Sequence, residues 1–134
     1  MQTTISNNSI PQVIHDYFAA SRSDNKVEGM VACFAANALC HDPAEGPVIQ
    51  GQAGLRQFFQ GITDLFATVG LTADFISVNG AEVAVKWSGQ GVGKNGRSVH
   101  FEGIDWFEVN AEGKIQAMKG YWNPAVVIAE LTAS

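Results

Sequence analysis

The sequence predicts an α+β domain, with helices first and then an antiparallel sheet that curves around them. Three observations carry this expectation. Apolar residues recur at helical spacing from Ile10 to Phe66. After Gly70 the texture changes to strand-like runs separated by Asn79-Gly80, Asn95-Gly96 and Glu112-Gly113, pairs that favour hairpin turns. Residues 99–109 alternate between an apolar and a polar side, as a half-buried strand does.

Ser9 reads as a helix cap, Pro11 as a first-turn residue and Gln12 as the partner that completes a capping box. Ile10, Val13, Ile14, Tyr17 and Phe18 then mark a first helix running to about Ser21. Asp24 or Asn25 can cap a second helix with the stripe Val27, Met30, Val31 and Phe34. Residues 38–42 read as extended, and Pro43 biases Asp42 away from helical dihedrals. Gly46-Pro47 marks a loop. Gly51 opens a third helix with Leu55, Phe58, Phe59, Ile62, Leu65 and Phe66 on its apolar side. Strands are expected over residues 71–78, 82–91, 98–109 and 114–122, and Asn123-Pro124 can cap a short last helix. A sheet bent around its helices leaves a cone with an apolar cavity at its open end. Composition alone leaves open a sheet that packs flat, with no cavity.

The chain has 134 residues, enough for one domain with its own core. Residues 1–9, polar and uncharged, read as a disordered leader, and 10–134 as the domain. Hydrophobic residues make up 46% and charged residues 16%. So light a charge load implies apolar surface hidden in an oligomer or lining a cavity. A net charge of −5 with scattered Lys and Arg argues against a nucleic-acid partner. No apolar run approaches the ~18 residues of a membrane span, and the N-terminus lacks the pattern of a signal peptide, so the expected location is the cytoplasm. Cys33, read in a helical stripe, and Cys40, read at a strand start, are expected to be small buried hydrophobes with free thiols.

One residue stands out in the alternating segment. Val99, Phe101, Gly103, Asp105, Phe107 and Val109 share a face, while His100, Glu102, Ile104, Trp106 and Glu108 share the other. The first face is the more apolar, so Asp105 points at the core or at a pocket. Three readings follow: a buried ion pair, a surface Asp displaced by a register slip, or a functional acid with a raised pKa.

Three further segments sharpen the reading. Residues 34–43 (FAANALCHDP) end in Asp42-Pro43 and are followed by Gly51 and the third helix; Gly103-Ile104-Asp105-Trp106-Phe107 lies in the alternating strand; Tyr17-Phe18-Ala19-Ala20 lies on the first helix. In this order they resemble the cone-shaped superfamily of ketosteroid isomerases, SnoaL-like polyketide cyclases, scytalone dehydratases and nuclear transport factor 2, and within it the steroid Δ5-3-ketoisomerases. The resemblance covers about residues 10–123. It implies a cofactor-free enzyme in which Asp42 is the proton-carrying base and Tyr17 and Asp105 donate hydrogen bonds to an enolate oxygen. That chemistry needs a desolvated carboxylate beside the acidic carbon and donors placed in advance, one of them an acid kept neutral. Asp105 is therefore expected to be neutral at pH 7, and a more exposed Asp42 ionised.

The bland alternatives are a core Tyr17 with its hydroxyl at the rim and an Asp42 that merely precedes a turn. The chain also departs from the isomerases. One extra residue lies between Tyr17 and Asp42, Phe59 replaces a tyrosine that supports the catalytic one, Trp106 replaces a histidine, and loop 44–50 is particular to this sequence.

Phe34, Phe59, Phe101, Met118 and Trp122 are the candidate substrate-binding side chains, for a small hydrophobic carbonyl compound. His41 adjoins Asp42, but strand neighbours face opposite ways, so no dyad is expected. His15 and His100 read as solvent-facing, and three isolated histidines suggest no metal site. No cofactor is expected. A polyketide cyclase or dehydratase and a non-catalytic binding module are the alternative functions. A homodimer is expected through an outward row of Ile104 and Trp106 beside Lys86 and Ala84.

Overall fold

The computed structural model describes residues 10–133; the expected leader and the Ser9 cap lie outside them. The elements are α1 (Gln12–Ser21), α2 (Lys26–Val31), β1 (Phe34–His41), β2 (Ile49–Gln50), α3 (Gly51–Thr63), β3 (Phe66–Asn79), β4 (Glu82–Gly93), β5 (Ser98–Val109), β6 (Ile115–Tyr121) and α4 (Pro124–Leu131). They form the expected α+β architecture. One curved six-stranded sheet, ordered β2-β1-β6-β5-β4-β3, wraps the first three helices.

β3, β4, β5 and β6 run as an antiparallel meander. Gly80, Gly96 and Gly113 take positive φ at the three turns that the sequence marks. β1 instead pairs parallel with β6, a long-range contact that no local turn motif announces. β2 is two residues long, too short to leave a periodic pattern.

Three helix boundaries differ from expectation. Pro11 caps α1 from outside it. Phe34 belongs to β1, where it pairs with Ile115, because the chain leaves α2 at Val31. α3 ends at Thr63, so Leu65 and Phe66 are not on it. Phe66 instead starts β3 over Gly91, whose missing side chain leaves room for the ring. Cys33 accordingly lies between α2 and β1, and Cys40 near the end of β1; both thiols are free and buried.

The core lies between the helices and the concave face of the sheet. Tyr17 is its aromatic centre, with edge-on contacts to Phe18, Phe34 and Phe107 at centroid separations of 5.1, 5.8 and 5.4 Å. Each such pair contributes ~0.5–1.5 kcal/mol beyond the area it buries. Ser21 ties α1 to the sheet: its buried hydroxyl donates to Phe18 O at 2.6 Å and accepts from Leu71 N at 3.0 Å. This fixes the height at which Tyr17, one turn earlier, meets the strands.

Candidate active site

β4 and β5 face the helices through paired large and small residues. Trp87 stands opposite Gly103, and Phe101 opposite Gly89. A methyl group at Gly103 would lie 2.6 Å from the Trp87 ring, and one at Gly89 2.5 Å from the Phe101 ring. The two glycines thus let an indole and a phenyl ring lie across neighbouring strands. With Trp122, just beyond β6, these rings form one wall of a cavity.

The opposite side comes from Tyr17 and Ser21 on α1, Lys26 and Met30 on α2, Phe58, Phe59 and Ile62 on α3, and residues 69–71 of β3. The cavity offers about 70 Å³ to the centre of a water-sized sphere, against the ~10–15 Å³ that one water needs. It therefore has room for a compact ligand.

Tyr17, Asp42 and Asp105 all line this cavity. Asp105 projects from the concave face of β5 and is 3% exposed, so the surface-Asp reading does not apply. Among the described residues no basic side chain pairs with it, which removes the ion-pair reading as well. Gly120 faces Asp105 across β5 and β6. The Asp42 carboxyl occupies the space over that glycine. Ala44 N donates to Gly120 O at 2.7 Å and pins the turn after Asp42 to β6. Trp122 Nε1 donates to Asp42 Oδ1 at 2.6 Å. The neighbouring His41 does turn the other way, its Nδ1 lying 2.9 Å from Gly46 O.

The electrostatics follow from burial. Burial raises Asp42 to about 6, and the Trp122 hydrogen bond opposes that rise. Asp42 is part-buried and still more exposed than Asp105, and it is mostly ionised at pH 7. Asp105 is pushed well above the ordinary carboxylate range, first by burial and then by the Asp42 charge. The Trp87 indole N–H opposes that rise, although it is buried and has no partner in hydrogen-bonding geometry. Asp42 thus ionises first, and its charge then holds the second proton on Asp105. Tyr17 is held neutral by burial first and by the two carboxyls next. Its ring neighbour Phe59, at 6.2 Å, carries no hydroxyl to support it. The cavity therefore presents one ionisable base and two neutral oxygen acids.

Phe59, Phe101 and Trp122 line the cavity, but Phe34 and Met118 do not. Phe34 is closed behind the Tyr17 ring, and Met118 lies against Phe107 and Cys40 with no exposed surface. Sequence reasoning missed Trp87, whose signal was its place in step with Val83 and Val85. It also missed Lys26, a single charge with no pattern around it. Among the described residues no group of three His, Cys, Asp or Glu is placed to hold a metal ion. Among the described residues no helix is long and apolar enough to cross a membrane.

The likeness to known proteins has the same extent. In the structure of SalBIII, described as an epoxide hydrolase/cyclase-like enzyme in pyran ring formation, the matching chain is 25% identical; the match covers 85% of this chain and 90% of that one, with a TM-score of 0.74. A ketosteroid isomerase-like fold from Catenulispora acidiphila, in complex with trimethylamine, matches at 18% identity, 92% and 95% coverage and a TM-score of 0.80. An NTF2-like protein of unknown function from Burkholderia pseudomallei matches at 18% identity, 96% and 100% coverage and a TM-score of 0.77. The SnoaL-like domain profile matches residues 14–118, a span that holds Tyr17, Asp42 and Asp105, and the chain belongs to the SnoaL-like family.

Proposed function

We propose that this protein is a cofactor-free isomerase that moves a double bond into conjugation with the carbonyl of a small hydrophobic ketone. The supporting observation is the unequal pair in one apolar cavity: Asp42, ionised above about pH 6, beside an Asp105 that keeps its proton. The Asp42 carboxylate removes a proton from the carbon between the carbonyl and the double bond. The electron pair moves onto the carbonyl oxygen, giving a dienolate that receives hydrogen bonds from Tyr17 and Asp105. Asp42 then returns the proton to the far carbon of the old double bond, so no co-reactant is consumed. Trp122 holds the carboxylate in place during both transfers. The test is conversion of a Δ5-3-ketosteroid to its Δ4 isomer, followed by the ultraviolet absorbance of the conjugated enone. Wild type should turn over and Asp42→Asn should fall to background; equal rates at background for both would end the steroid reading.

The same pair also supports a second reading, closer to the SalBIII likeness: Asp42 activates a hydroxyl while Asp105 protonates an epoxide oxygen. Asp105→Asn separates the two. An amide can still donate a hydrogen bond to an enolate, but it has no proton to give to an opening epoxide. Partial activity on an enone precursor favours the isomerase, whereas ring closure of a hydroxy-epoxide that Asp105→Asn abolishes favours the cyclase.

A further inference from the structure

Among the described residues, Lys26 is the one basic residue on the cavity wall. Its Nζ donates to Ser23 O at 3.0 Å, and no carboxylate pairs with it among the described residues. Lys26 is part-buried and lines the cavity with Met30 and Leu71, and it gains no counter-ion there. Its remaining two donors are unused.

The lysine and the acids come from different parts of the wall: Lys26 from α2, Asp105 from β5, and Asp42 from the turn over Gly120 of β6. Asp42 is moved by burial and Trp122, and Asp105 by burial, Asp42 and Trp87; Lys26 has no share in either shift. The same rim carries a second cation. The Arg22 stem lies on Gly70, where a methyl group would come within 2.9 Å of Cγ, and its guanidinium donates to Leu71 O at 2.5 Å. Two of the chain's eight basic residues thus flank one end of the cavity in a protein of net charge −5. That placement is an electrostatic guide for an anion.

We propose that the substrate is an amphiphilic anion: an apolar body in the cavity, and a carboxylate at the end away from the reacting oxygen, received by Lys26. The ammonium keeps two spare N–H donors and attracts a carboxylate as a compact point charge. The placement of the carbonyl end at Tyr17 and Asp105 rests on the isomerase reading; the lysine end does not.

The test uses 4-phenylbutanoate and 4-phenylbutanamide, alike in shape and different in charge, with binding measured by calorimetry and by the fluorescence of Trp87 and Trp122. Wild type should bind the carboxylate about tenfold tighter, which corresponds to ~1.4 kcal/mol. Lys26→Gln should remove the preference and leave amide binding unchanged, and Lys26→Glu should reverse it. Equal affinities in wild type, a preference that survives Lys26→Gln, or no binding of either probe would overturn the proposal. Asp42→Asn keeps the two readings separate: it tests turnover and leaves the dependence on Lys26 intact.

Discussion

The Asp42 carboxyl sits over Gly120, where a single methyl group would stand 2.5 Å from Oδ1 and 2.7 Å from Cγ. The glycine is therefore a steric requirement of the base. Trp122 holds the same carboxyl with its indole N–H. Gly120→Ala should push the carboxyl off this position while the strand, already buried and paired, persists. A misplacement of this size costs on the order of 10²-fold in rate. Isomerase assays should show that loss in kcat/KM with little change in melting temperature. A wild-type rate would show that the position of Asp42 does not matter.

The pH dependence follows from Asp42. A base raised to about 6 is protonated and idle below that pH. Activity should therefore rise as pH passes through about 6 and level off near 7. Trp122→Phe removes the hydrogen bond that favours the carboxylate, so the acid limb should move to higher pH. A pH–kcat/KM profile on both proteins checks this. An unchanged midpoint would mean that another group sets the limb.

Asp105 should be neutral at pH 7. Its folded pKa lies above its unfolded value, so it destabilises the fold as pH rises past about 3.9, and the loss levels off only above the folded pKa. Asp105→Asn avoids that loss, so its stability at pH 7 should equal or exceed that of wild type. In the isomerase assay it should lose ~10²-fold or more, because an amide is the weaker donor. Carbon-13 NMR of labelled aspartate reads the titration directly. A signal from Asp105 that titrates near pH 4 would refute the assignment.

How much of this was legible in the sequence depended on range. Helix stripes and hairpin glycines are local, and they placed most elements within a few residues. Alternation in residues 99–109 aimed Asp105 inward, because the period of a strand needs no knowledge of its partners. The failures were contacts between distant segments. Phe34 fits a helical stripe and a strand start equally well until Ile115 pairs with it. Met118 and Trp122 lie on the same side of the chain, yet only Trp122, beyond the strand end, reaches the cavity. Trp87 opposite Gly103 and Asp42 above Gly120 need the register of the sheet, and a one-residue slip would exchange every side chain between faces.

The convex face of the sheet carries the last prediction. Register places Phe75, Lys86, Ile104 and Tyr121 in one row across β3, β4, β5 and β6. Phe75 is 64% exposed, Ile104 48% and Tyr121 50%. Phe75 reaches that face because a register shift between Ala73 and Phe75 gives β3 an extra residue. The row extends the pair of Ile104 and Trp106 that the sequence offered. Lys86 within it is held by Asp74 at 3.1 Å and Glu102 at 3.4 Å, so its charge is partly met and its stem adds apolar surface. Three large apolar side chains in line on an open sheet favour burial against a second copy, on the order of 2,000 Å² or less in total. Sedimentation equilibrium at micromolar concentration should give a dimer. Phe75→Asp with Ile104→Asp should give a folded monomer, because neither side chain touches the cavity. A monomeric wild type, or a dimer that survives both substitutions, would exclude this face.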